Sequence, residues 1–244
     1  MSVSSEEIIV VKSCKNQLDS KQKYEVNENT IIELKGYFRS SGKIKSIIYF
    51  GLKCFKENGE SIEREHINRT KESLLITSIN TDGKSFILNK RPETWNNSSD
   101  NYSNMYLKCI GFYFDGNINH LPDYLIYSAY SNFNDNKINL NKDIPKEIID
   151  KIIPYKTIVM NHNSGNGYSY DYSVACGEVV SDKWTEYKAL YKGFSDGYGD
   201  EKGKFRLGTK YVLPFIICNY VQNDDAILEI SKVEIIIKDN PKFN

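Results

Sequence analysis

Alternation of apolar and polar side chains with a period of two recurs along most of the chain, and that spacing predicts strands. In residues 30–38, Ile32, Leu34, Gly36 and Phe38 fall on one face while Glu33, Lys35 and Tyr37 fall on the other, as in a strand buried on one side. The run 46–55 is apolar on both faces, with Ile47, Tyr49 and Phe55 opposed to Ile48, Phe50 and Leu52. It predicts a central strand, closed by a turn at Lys56-Glu57-Asn58-Gly59, from which 61–66 is expected to run back antiparallel. Further strands are expected at 8–11, 74–78, 85–88, 106–114, 157–161, 168–176, 184–193, 210–220 and 226–238. In the last run Leu228 and Ile230 share one parity while Val233, Ile235 and Ile237 share the other, so a β-bulge near Ser231 and Lys232 is needed to keep one face buried. Pro214 cannot donate to a ladder and calls for an edge or a bulge.

A single helix is predicted, at about 141–152. Asn141 or Asp143 is available as N-cap, Pro145 suits the first turn, and Ile144, Ile148, Ile149 and Ile152 recur at helical spacing before Pro154 ends the run. It is expected to plug one end of a β core. No repeat, Pro/Ser-rich linker or charge block divides the chain, so 1–244 reads as a single domain. Many short strands with one small helix predict an all-β antiparallel sandwich of the jelly-roll type.

With 244 residues, the chain can bury roughly 70–75% of its unfolded surface and needs no staple to fold. Its 32 Lys+Arg and 32 Asp+Glu cancel, and no basic stripe exists to grip phosphates, which argues against nucleic acid as a partner. Nothing approaches the apolar length of a membrane span, and the first residues lack a signal-peptide pattern, so synthesis in the cytoplasm without membrane insertion is expected. Cys14, Cys54, Cys109, Cys176 and Cys218 occur singly, most of them within apolar runs, and read as reduced core thiols.

Specific residues add a resemblance. The stretches Trp184-Thr185-Glu186-Tyr187, Tyr191-Lys192-Gly193, Lys204-Phe205-Arg206-Leu207-Gly208-Thr209-Lys210-Tyr211-Val212 and Asn219-Tyr220, with Leu228, Ile230, Val233 and Ile235 behind them, resemble the closing half of jelly-roll modules related to the family 4/9 carbohydrate-binding modules. Such galactose-binding-like modules recur in phage tail fibres, surface proteins and multidomain glycan enzymes. Leu34-Lys35-Gly36-Tyr37-Phe38-Arg39-Ser40 and Tyr49-Phe50-Gly51-Leu52-Lys53-Cys54-Phe55 are similar to their early strands. The resemblance implies a packing role for Trp184, a structural Ca²⁺, a glycan ligand, and display on a phage or virus particle as a receptor-binding module.

Candidate ligand-binding residues follow from chemistry. Tyr168, Tyr170 and Tyr172 alternate with Ser169, Asp171 and Ser173, and phenol rings beside polar groups suit the C–H faces and hydroxyls of sugars. Asn161, His162 and Asn163 in the preceding loop are placed to supply polar contacts. The alternative is that the three tyrosines continue through Val174 and Cys176 as one core face. Trp95 lies in the polar stretch 92–100 and is expected to be an exposed platform, with Tyr102 as companion. Asp196, Asp200 and Glu201 offer oxygen ligands to Ca²⁺ but lack EF-hand spacing; no other cofactor is expected. The leading expectation is therefore a non-catalytic glycan-recognition module. A homo-oligomer assembled through an exposed sheet face is the second reading, and a polysaccharide lyase or glycosidase using Tyr170, His162 and Arg206 the third.

Overall fold

The structure, a computed structural model, describes residues 8–12, 16–163, 170–197, 201–220 and 225–239. In chain order the elements are β1 (Ile9–Lys12), β2 (Asn16–Asp19), β3 (Tyr24–Glu25), β4 (Thr30–Ser40), β5 (Ile47–Phe55), α1 (Arg64–Ile67), β6 (Arg69–Ile79), β7 (Ser85–Leu88), α2 (Asn101–Tyr106), β8 (Cys109–Tyr113), β9 (Tyr124–Ile126), β10 (Lys137–Asn139), α3 (Lys146–Ile149), β11 (Ile158–His162), β12 (Tyr170–Val179), β13 (Thr185–Lys192), β14 (Tyr211–Cys218) and β15 (Ile227–Asp239).

Two antiparallel sheets form the jelly roll. One has the order β1-β15-β4-β13 and the other β12-β5-β14-β2, with β3 as an extra pairing on β14. Numbered among themselves along the chain, these eight strands run 1-8-3-6 in one layer and 5-4-7-2 in the other, the interleaving of a jelly roll. The cause lies in side-chain parity. Along β4 every second residue is buried, so Ile32, Leu34 and Phe38 point into the sandwich. Ile48, Phe50, Leu52 and Cys54 do the same from β5 in the facing layer. Phe38 meets Phe50 edge-to-face at 5.5 Å and Tyr187 at 5.7 Å. Each such side chain contributes about 1.5–3 kcal/mol by leaving water.

The expected bulge in the last strand is present: β15 pairs with β4 in two registers that shift between Ile230 and Val233. Pro214 lies inside β14, opposite Leu52 of β5. Its carbonyl accepts from Ser20 N–H, so its nitrogen points the same way, into the gap between the segments where β2 and β3 pair, and no bond to β5 is lost.

Between the fourth and fifth jelly-roll strands the chain builds a third antiparallel sheet, β10-β7-β6-β11-β8-β9, with its own apolar cluster that includes Leu74, Phe86, Phe112, Tyr130 and Val159. Here several expectations are corrected. The turn at 56–59 forms, with Gly59 at φ +85°, but 61–66 returns only through a single bridge from Ser61 to Phe55 before α1 begins. The helix expected at about 141–152 shrinks to α3 with Pro145 as its N-cap, because Asn141 N–H and Ile144 N–H bond the carbonyls of Ala129 and Gly83 and hold that segment extended. Ile144 and Ile152 still reach the core of this third sheet, as their spacing implied. The short strands β2, β3, β9 and β10 and the helices α1 and α2 were not foreseen. Cys54, Cys109 and Cys218 are buried and in no disulfide, whereas Cys176 is exposed; Cys14 lies outside the described residues. Among the described residues no helix is long and apolar enough to cross a membrane.

One close approach fixes the β12–β5 contact. The register of β12 on β5 shifts between Asp171 and Ala175, and a Cβ on Gly51 would sit 1.8 Å from the Asp171 carbonyl oxygen. Gly51→Ala is therefore expected to lower stability by about 2–3 kcal/mol in urea unfolding, as overpacking against backbone does. A change within about 0.5 kcal/mol would contradict the close approach.

Candidate functional site

The side chains of the β12-β5-β14-β2 sheet that point away from the sandwich core gather aromatic rings. On β5, Tyr49 stands between the inward Ile48 and Phe50; on β14, Phe215 stands between the inward-side neighbours Pro214 and Ile216. Tyr172 of β12 packs edge-on against Tyr49 at 4.9 Å and against Phe215 at 5.6 Å, and Tyr220, just beyond β14, packs on the other side of Tyr49 at 4.7 Å. Phe215 forms the buried floor, Tyr49 and Tyr172 are half-buried, and Tyr220 is 38% exposed. The rings are held by edge-on contacts worth about 0.5–1.5 kcal/mol each beyond their burial.

Of the residues singled out from the sequence, Tyr172 thus belongs to an aromatic surface cluster. Tyr168 lies outside the described residues, as do the side chains of Tyr170 and Tyr102; the backbone of Tyr170 pairs with Lys53 and that of Tyr102 lies in α2. The single core face imagined for Tyr172, Val174 and Cys176 is not formed. The register shift turns Ala175 into the core instead and leaves Cys176 exposed. Tyr49 and Tyr220 escaped the sequence reading, although the parity of Tyr49 opposite Ile48 and Phe50 was the signal that would have found it.

Trp95 is not an exposed platform. It is 4% exposed, with Tyr130 at 5.9 Å and Phe133 at 6.4 Å, in the core of the third sheet. The polar residues around it, which made the segment look like a free loop, instead tie it down: Asn97 bonds Phe133 through both its side-chain atoms, and Tyr130 Oη donates to the Asn96 carbonyl. Trp184 departs from the packing role too, being 37% exposed beneath the Arg39 guanidinium at 4.8 Å.

Asn161 and His162 are buried rather than solvent-facing. Asn161 Nδ2 donates to the carbonyls of Leu107 and Cys109, and its Oδ1 accepts from Asn96 N–H. His162 Nε2 lies 3.2 Å from Tyr113 Oη, to which Arg69 Nη1 donates at 3.1 Å. Asn163 is half-buried, and its N–H bonds the Asn68 carbonyl. A His, a Tyr and an Arg do converge, then, but they are not the three expected together, because Arg206 sits elsewhere. Arg206 is 2% exposed, donates to the Ile62 carbonyl at 2.7 Å, and belongs with buried Asp171 and Tyr191. Burial pushes the Asp171 carboxyl above its usual range, opposed by hydrogen bonds from Ser173 and by Arg206. Burial, with Asp171 close by, also raises Tyr191 well above the ordinary phenol range.

For calcium, Asp196 and Glu201 face each other through backbone: Glu201 Oε1 accepts from Asp196 N–H at 3.1 Å while its Oε2 pairs with Lys204 at 2.6 Å. Asp200 lies outside the described residues. A cavity of about 300 Å³ opens between the two jelly-roll layers beside Leu18, Tyr24, Phe50 and Pro214, with a lining more apolar than polar, and none of the predicted site residues reaches it.

The chain matches no protein family and no curated protein. Among solved structures, a chain described as "Structure of infectious bursal disease virus Gt strain" aligns at 9% identity with a TM-score of 0.13 over 99% of this chain, which spans 42% of that chain's length. So low a score supports no argument about fold or function.

His66, at α1, supplies a pH test of this architecture. Burial holds its pKa down at about 4, and its Nδ1 accepts from Glu63 N–H at 3.0 Å. The unfolded chain takes this proton near pH 6.5 and the folded one only near 4, so the stability present above 6.5 is lost as pH falls between those values. His66→Gln is expected to remove a part of that loss on the order of 2 kcal/mol; identical pH profiles for both proteins would contradict it.

Proposed function

We propose that this chain is a non-catalytic carbohydrate-recognition module of a particle or cell surface, and that the ligand lies across Tyr49, Tyr172 and Tyr220. The observation that carries the reading is the ring cluster on the outward face of β12-β5-β14, where half-exposed phenols stand side by side, Tyr49 and Tyr172 on strands and Tyr220 just beyond β14. Sugar rings offer C–H faces to such phenyl surfaces, and hydroxyl groups at the rims supply polar contacts. The jelly-roll topology is the one that the resembling modules use, which makes a tail-fibre-like, receptor-facing role coherent with it. Affinity for one such site is expected at roughly 10 μM to 1 mM.

A glycan array followed by calorimetry tests this. A bound oligosaccharide is expected to lose about tenfold or more in affinity on Tyr172→Ala or Tyr220→Ala, while Trp95→Ala, which removes a core ring, is expected to cost stability of about 3–5 kcal/mol rather than act at the ligand. No binding to any glycan, or binding indifferent to both tyrosines, ends the reading.

A second reading, assembly with copies of itself, is favoured by one feature. The edge strand β1 exposes Ile9 and Val10, each at 51%, and β15 beside it exposes Val233 and Ile237. Apolar side chains on an edge that no other described strand covers invite pairing. Light scattering is expected to show a stable oligomer, dispersed by Val10→Lys, if this edge is an interface; a monomer at all concentrations rejects it.

A further inference from the structure

We propose that Asp115, His120 and Asp123, in the connection between β8 and β9, bind one divalent transition-metal ion of the zinc class. One ligand atom from each side chain lies within 4.8 Å of the others. The imidazole is oriented as a metal ligand is. His120 Nδ1 lies 2.5 Å from the Leu121 carbonyl oxygen, so this nitrogen carries the proton and donates it, and Nε2 faces Asp115 Oδ1 at 3.2 Å. A ring-nitrogen lone pair and a carboxylate oxygen are both acceptors, and at this separation they need positive charge between or beside them: a second proton or a metal ion. A backbone carbonyl on the far nitrogen is the usual device that fixes the tautomer and direction of a ligating histidine.

Both carboxylates are held in place by the loop itself. Asp115 Oδ1, the oxygen that faces the imidazole, accepts from Asn117 N–H and Asp123 Oδ2 from Phe114 N–H, each at 2.8 Å, which fixes the direction of each carboxylate. Two carboxylates balance a dication. The imidazole selects against Ca²⁺ and Mg²⁺, which take oxygen, and favours zinc and its first-row neighbours, whose bonds to such donors run about 2.0–2.2 Å. Three protein donors on an exposed loop leave a coordination position for water or for a group on a partner.

Placement gives the ion a mechanical consequence. Within the same loop the Ile118 carbonyl accepts from Arg69, whose other nitrogen donates to the Asp196 carbonyl of the jelly roll, and Leu121 packs against the jelly-roll core beside Gly208. An ion here ties down the loop that bridges the third sheet and the sandwich.

Titration of the full chain with zinc chloride near neutral pH, followed by calorimetry and by thermal melting, tests the site. One ion per chain is expected, with a Kd at or below about 10 μM and a raised melting temperature. His120→Ala and, separately, Asp115→Asn are each expected to weaken binding at least about tenfold, whereas Cys176→Ser leaves it unchanged. Absence of saturable binding, or zinc binding that neither substitution alters, overturns the proposal and leaves His120 and Asp115 as an ion pair with a shared proton.

Discussion

Burial of one face on each of two successive strands is the constraint from which the rest of this structure follows. β4 and β5 lie in different layers, and their inward stripes, Ile32-Leu34-Phe38 and Ile48-Phe50-Leu52-Cys54, meet across the sandwich. Because a one-residue slip would turn either stripe to water, register is tightly specified at these strands. β15 then has to bulge between Ile230 and Val233 to keep its pairing with β4, and β12 has to shift register over Gly51 to keep its pairing with β5. The same parity that sends Ile48 and Phe50 inward sends Tyr49 outward, so the aromatic surface is a by-product of the core's alternation.

The third sheet is joined to this frame by a cation, Arg69, as well as by apolar packing. Arg69 leaves β6 to reach Tyr113, the Ile118 carbonyl and the Asp196 carbonyl, while Arg206 serves within the jelly roll, where it satisfies the Ile62 carbonyl after β5. Both guanidiniums are buried, and the planar, multiply donating group is suited to satisfying several carbonyls at once. Removing either would strand those acceptors away from water, a penalty of about 1–3 kcal/mol for each one left unpaired. His162 and Tyr113, which as isolated residues suggest acid–base chemistry, thus sit in a packed node where the third sheet meets the jelly roll.

Legibility of the sequence tracked how far each signal was local. The long strands were readable because their side chains alternate over many residues, and the bulge at Ser231-Lys232 was readable because the parity of Leu228-Ile230 and Val233-Ile235 visibly breaks. Two- and three-residue strands such as β3 and β10 hold too few residues to show a period, and their pairing is imposed by neighbours. Trp95 shows the converse failure: polar neighbours signal exposure only when their hydrogen bonds go to water, and here Asn96 and Asn97 bond the protein around the indole. At the candidate site Tyr172 was legible, but its partners Tyr49 and Tyr220 come from distant segments brought together by the β12-β5-β14 order. No local pattern could supply that adjacency.

The proposed role places ligand contact on the outward tyrosine face of the jelly roll. Side-chain NMR of the tyrosines during titration with an oligosaccharide that the chain retains addresses it most directly. Saturable shifts are expected, confined to the rings of Tyr49, Tyr172 and Tyr220 and their immediate neighbours. Shifts centred on the Trp95 indole, on His162, or on the interlayer cavity beside Leu18 and Tyr24, with the three tyrosines silent, would contradict it.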